Sequence, residues 1–114
     1  LLIKPDLAEA WYNRAYVQKQ LREFNRARED YNQYIRLRPG DPLGYLGKGN
    51  LYAENMNWTS ALDQYRAALA NDPSLAIGYF NLGIYYAIMN DRNEACTHFQ
   101  KANQMGFTDA ESKM

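Results

Sequence analysis

A chain of 114 residues, 46% hydrophobic and 23% charged, has the length of one domain and the makeup of a folded protein. Thirteen basic and thirteen acidic side chains cancel, which removes the global field that would draw the chain to nucleic acid or to an anionic membrane surface. One cysteine, Cys96, leaves no internal disulfide to form, and no apolar run nears the roughly 18 residues that suggest a membrane span, so membrane insertion is not expected.

Along the chain the pattern is helix after helix. Asp6 with Glu9 three residues on forms an N-cap signature for a helix over about residues 8–20. A second helix over about residues 24–37 stops short of Pro39, because the residue before a proline is biased away from helical geometry. Asp41-Pro42 supplies a cap and a first-turn proline for a third, about 43–54. Asn57 can cap a fourth over about 58–71. A fifth over about 75–89 can end on Asn90 in the left-handed conformation. Asp91 with Glu94 repeats the capping signature for a sixth, about 92–105, and Thr108 with Glu111 opens the start of a seventh.

These helices recur on a fixed step. Pro5, Pro39 and Pro73 stand 34 residues apart, and the same step carries Ala27 to Ala61 to Ala95, Tyr31 to Tyr65 to Phe99, and Trp11 to Tyr45 to Tyr79. This period, with an aromatic opening each unit and a proline closing it, resembles the tetratricopeptide repeat, and the resemblance covers nearly the whole chain. It implies an all-α superhelix, a solenoid of helix-turn-helix units that recognises protein. Residues 1–7 are then expected to be the tail of a preceding repeat, residues 8–41, 42–75 and 76–107 three units, and residues 108–114 the start of a capping helix. The chain is expected to be a fragment of a longer one.

Two helices approach closely only where side chains are small, and the slots of Ala15, Gly49, Gly83 and of Ala27, Ala61, Ala95 meet that need. Trp11, Tyr31, Tyr45, Tyr52, Tyr65, Tyr79, Tyr86 and Phe99 are assigned to the packing around them. Arg14 and Lys48 stand where the third unit has Leu82. Arg14 is expected to pair with Asp30 in the facing helix, whereas Lys48 faces Gln64 and has to snorkel or find another carboxylate. Tyr34 holds a slot where Ala68 and Ala102 sit, and Gly44, Gly47 and Gly49 are expected to leave the room its ring needs.

At about 100° per residue, Ile77, Phe80, Asn81, Ile84 and Ile88 fall on the side of the fifth helix away from its packing residues, where a solvated helix is polar. The equivalent sets are Glu9, Tyr12, Asn13, Tyr16 and Gln20 on the first helix, and Leu43, Leu46, Gly47, Asn50 and Glu54 on the third. The resemblance implies that these faces line the concave surface, where such proteins hold an extended peptide or a helix. The expected partner-binding residues are Tyr12, Asn13, Tyr16, Leu46, Asn50, Ile77, Phe80, Asn81, Ile84 and Ile88: apolar ones as pockets, asparagines as donor and acceptor to a peptide backbone. Asn13 and Asn81 share a slot, similar to an asparagine ladder, which Gly47 interrupts. The clamp for acidic chaperone tails needs lysines and arginines where this chain has Tyr12, Tyr16, Gly47, Ile77 and Asn81, so no terminal carboxylate is expected to be held. The alternative to a peptide groove is self-assembly, the groove or the open ends packing on another copy or another segment of the parent chain.

No catalysis, cofactor or metal is expected. Cys96 and His98, two residues apart on a helix, point about 200° apart and form no dyad. Cys96 is expected as a small packing residue and His98 as a helix-surface or boundary residue. Glu94 and His98 can meet but make only two ligands. Arg22, Arg26 and Arg36 are interleaved with Glu29 and Gln33, the mixed signature of a solvated face and not of a nucleic-acid stripe.

Overall fold

The 34-residue step reappears in the backbone before it appears in any side chain. Arg22, Met56 and Asn90 take positive φ, at 63°, 61° and 62°. Each sits in the same hydrogen-bonded turn: Arg22 N–H donates to Lys19 O and Glu23 N–H to Gln18 O, with the same two bonds at Met56/Asn57 and Asn90/Asp91. This double closure satisfies the last carbonyls of a helix and reverses the chain. Only Asn90 carries a side chain that announces the left-handed conformation.

The computed structural model describes residues 7–106. The expected tail of a preceding repeat with its Asp6 cap, and the capping-helix start over residues 108–114, lie outside the described residues. All regular structure among those described is helical: α1 (Leu7–Gln20), α2 (Phe24–Leu37), α3 (Leu43–Glu54), α4 (Trp58–Asn71), α5 (Ala76–Ile88) and α6 (Arg92–Gln104). The helices pair as hairpins α1/α2, α3/α4 and α5/α6, and the hairpins stack through α2 on α3 and α4 on α5. Two starts are capped as the sequence implies, with Asn57 Oδ1 accepting from Ser60 N–H at 3.4 Å and Asp91 Oδ1 from Glu94 N–H at 3.2 Å. At α3 the cap position is Pro42, and the Asp41 carboxylate accepts from Leu43 N–H at 2.9 Å.

Packing follows the alternation of small and large residues. Ala15, Ala27, Tyr31 and Leu51 form one buried cluster, and Leu46, Ala61, Tyr65, Ala68 and Leu82 another. Gly49 and Gly83 lie under the rings of Tyr65 and Phe99, where an added Cβ would fall within 2.6 Å of ring carbons. Tyr34 is buried, and the room for it comes from Gly44 alone. Gly44 faces Tyr34 and Ile35, Gly47 faces Tyr31, and Gly49 serves its own hairpin. The Tyr34 hydroxyl donates to Asp41 Oδ2 at 2.6 Å, and burial together with that carboxylate raises its pKa.

The expected ion pair forms. Arg14 Nε and Nη2 donate to Asp30 Oδ2 and Oδ1 at 2.7 and 3.0 Å, a bidentate contact that raises the arginine pKa and satisfies a buried carboxylate. Lys48 is half-buried in the equivalent slot and meets no carboxylate among the described residues. Burial, and then the charge of Arg28, lower its pKa. Gln64, in the Asp30 slot, keeps a buried Oε1 without a hydrogen-bond partner. Cys96 departs from the expectation of a small packing residue: it is exposed on α6.

Candidate partner-binding groove

The residues expected on the concave face separate into four groups. Leu46 leaves the set: it is 6% exposed, because it packs in one core cluster with Ala61, Tyr65 and Ala68 of α4 and Leu82 of α5. Tyr12, Ile77 and Phe80 are half-buried and form the floor. Tyr12 packs edge-on to Tyr31 at 5.6 Å and against Tyr34 at 5.2 Å, its pKa raised by burial and then by Asp41. Ile77 lies on the Leu46 cluster, and Phe80 meets Phe99 at 5.5 Å. Asn13, Tyr16, Ile84 and Ile88 remain open, with Ile84 38% and Ile88 48% exposed.

Asn50 and Asn81 meet each other. Asn81 Nδ2 donates to Asn50 Oδ1 at 3.4 Å, and the Tyr65 hydroxyl donates to the same oxygen at 2.8 Å. Burial, with the Glu54 carboxylate adding to it, pushes the Tyr65 phenol up to about 12, so it stays a donor at neutral pH. With Asn50 Oδ1 engaged, its Nδ2 and Asn81 Oδ1 have no partner among the described residues. One free donor thus stands next to one free acceptor, the complement of a peptide group.

These asparagines line a hollow of about 320 Å³ at the junction of the second and third hairpins, together with Ile84 and with residues that the helical-face argument did not select. Glu54 was on the expected face but not among the binding residues. Tyr65 belongs to the packing set and Lys19, Trp58 and Tyr85 fall outside the helical-face sets, since a single helix's periodicity cannot show that α1, α3, α4 and α5 converge. Lys19 Nζ meets Glu54 Oε2 at 2.9 Å across the mouth and lies 5.0 Å from the Tyr16 ring centre.

Among the described residues no three of His, Cys, Asp and Glu cluster as metal ligands. His98 lies half-buried at the boundary of α6, with Nδ1 2.8 Å from Glu94 O and its ring centre 4.9 Å from that of Tyr86. No helix among the described residues is long and apolar enough to cross a membrane.

The tetratricopeptide repeat profile matches residues 4–42, 12–76 and 46–102. No curated protein matches in sequence. Among solved structures, MamA aligns with a TM-score of 0.79 and 22% identity over 94% of this chain, which spans 61% of MamA. The Yersinia enterocolitica type III secretion chaperone SycD, in complex with a peptide of the translocator YopD, aligns at 0.82 and 19% identity over 99% of this chain and 86% of its own. The second TPR of Spaghetti (RPAP3), bound to the HSP90 peptide SRMEEVD, aligns at 0.76 and 18% identity over 86% and 91%. At such identities the likeness is one of fold.

Proposed function

Since the chain belongs to the tetratricopeptide repeat family, we propose that it is a non-catalytic protein-interaction scaffold that holds an extended peptide or a helix of a partner protein in its concave groove. The observation that carries this is the exposure of Ile84 and Ile88 on one face of α5, beside the free donor and acceptor of Asn50 and Asn81. Apolar side chains left in water on a helix face mark an interaction surface. That SycD and Spaghetti are seen with peptides supports a peptide as the occupant. On this reading Asn13, Tyr16, Asn50, Asn81, Ile84 and Ile88 touch the partner, and Tyr12, Ile77 and Phe80 shape the floor. An acidic tail like that of the HSP90 peptide is not the ligand, because Tyr12, Tyr16, Gly47, Ile77 and Asn81 supply no cation.

The test is capture from lysate on the natural chain beside an Ile84→Glu, Ile88→Glu variant. Phe80 is left intact because it also packs on Phe99. Partners held by the natural chain and lost by the variant are expected, with circular dichroism unchanged. An identical set from both removes the groove.

A second reading, self-association, rests on Val17. It is 53% exposed, whereas Leu51, one repeat on, is 2% exposed against the first hairpin. Self-association requires a sedimenting mass that rises with concentration and a Val17→Glu variant in which it does not. A mass independent of concentration leaves the peptide groove alone.

A further inference from the structure

The hollow at the second junction is not charge-symmetric, although it contains one cation and one anion. In the Lys19 and Glu54 pair the lysine side chain is 11% exposed and the glutamate 41%. The ammonium is covered by its carboxylate partner and by the Tyr16 ring. The carboxylate uses Oε2 for Lys19, and Oε1 has no hydrogen-bond partner among the described residues. A ligand entering here therefore meets a negative end whose positive partner is already engaged. The negative field also reaches inward, since the Glu54 charge contributes to the raised phenol pKa values of Tyr65 and Tyr31. The rest of the concave face does not offset it: Glu9, the other charged residue on this face of α1, is acidic and exposed.

Trp58, Tyr65 and Tyr85 contribute the hollow's aromatic lining. Aromatic faces attract cations and accept the methylene stem of a long basic side chain, whose charged end then reaches toward the rim. The 320 Å³ available is ample for one such side chain.

We propose that this hollow takes a basic side chain, arginine or lysine, of the bound peptide, with Glu54 as its charge partner, Trp58 and Tyr85 as walls, and Asn50 with Asn81 holding the adjoining peptide group. This specificity rests on the groove reading above and adds the chemical class of the occupant.

The probes are three peptides, acetyl-Ala-Ala-Leu-Xaa-Leu-Ala-Ala-amide with Xaa as arginine, glutamine or glutamate, titrated into the isotope-labelled chain. The Trp58 indole N–H and the side-chain amides of Asn50 and Asn81 report binding by NMR. The arginine peptide is expected to bind about three- to fivefold more tightly than the glutamine one, the range of a partly exposed charge pair, and the glutamate peptide most weakly. In Glu54→Gln, which keeps the side chain's size and takes the charge partner from Lys19, the order is expected to invert in favour of glutamate, with circular dichroism checking that the helices are retained. Equal binding of the three, or an arginine preference that survives Glu54→Gln, overturns the charge assignment while the groove stands. If no peptide moves any of the three reporters at millimolar concentration, the groove reading itself fails, and the specificity with it.

Discussion

The two stacking junctions are built on one register and end up differently filled. At the first, α2 presents Tyr31, Tyr34 and Ile35 to α3, which answers with Gly44 and Gly47. At the second, the same slots of α4 hold Tyr65, Ala68 and Leu69, and those of α5 hold Gly78 and Asn81. Large rings on glycine close the first junction to interior density. At the second junction Ala68 is buried in the core in place of Tyr34, an asparagine stands in place of Gly47, and two amides line a hollow. Position in the repeat thus decides where a groove runs, and the residue in the Gly47 slot decides which junction offers a pair of amides.

Making the first junction resemble the second is the direct way to break that account. Tyr34→Ala has the largest expected effect, about 3 kcal/mol of lost stability, from an aromatic side chain removed at a fully buried site with limited room to collapse. It also strips Asp41 of its hydroxyl donor. Urea unfolding checks the loss through a lower midpoint at unchanged slope. A midpoint equal to that of the natural chain would mean the ring is not what seals the junction.

Gly47→Asn comes next, at about 2 kcal/mol. A Cβ at Gly47 falls 2.4 Å from Tyr31 Cε1, and Tyr31 is too deeply buried to swing aside. The same residue type is accommodated one repeat later, where Asn81 meets Asn50 and not a ring face. The comparison sharpens if Gly47→Asn together with Tyr31→Leu recovers part of the loss in the same measurement.

Much of this was legible in the sequence. The 34-residue step gives the six helices to within a residue, and charge complementarity at one slot gives the Arg14 and Asp30 pair. Size complementarity gives Tyr34 against a run of three glycines, of which the structure sets only Gly44 against its ring. What remained hidden was relational. Leu46 lies within the concave sector of a helical wheel, yet the approach of α4 and α5 buries it. Trp58 and Lys19 belong to helices whose own faces give no reason to place them beside Asn50; the turn of the α3/α4 hairpin brings Trp58 there, and the stacking of the first hairpin on the second brings Lys19. Arg22 and Met56 adopt a left-handed conformation that neither residue type favours, so the turn they share with Asn90 is visible only by register.

Lys48 gives the smallest effect and the one of opposite sign. It reaches from α3 to the closed junction, where burial and then the Arg28 charge on α2 lower its pKa. A lysine whose folded pKa lies below its unfolded 10.5 costs stability wherever it must be charged, and the cost fades as pH rises through the folded pKa toward 10.5. Arg14 shows what would have cancelled it, and Leu82, one repeat on, shows what avoids it. Lys48→Leu is therefore expected to stabilise the chain by about 1 kcal/mol near pH 7, by removing a half-buried charge that has no partner. The advantage should shrink when unfolding is repeated at higher pH. A gain that stays constant with pH would assign the effect to leucine packing, and no gain at all would mean that solvent already relieves the lysine, leaving the first junction closed by its rings without an electrostatic cost.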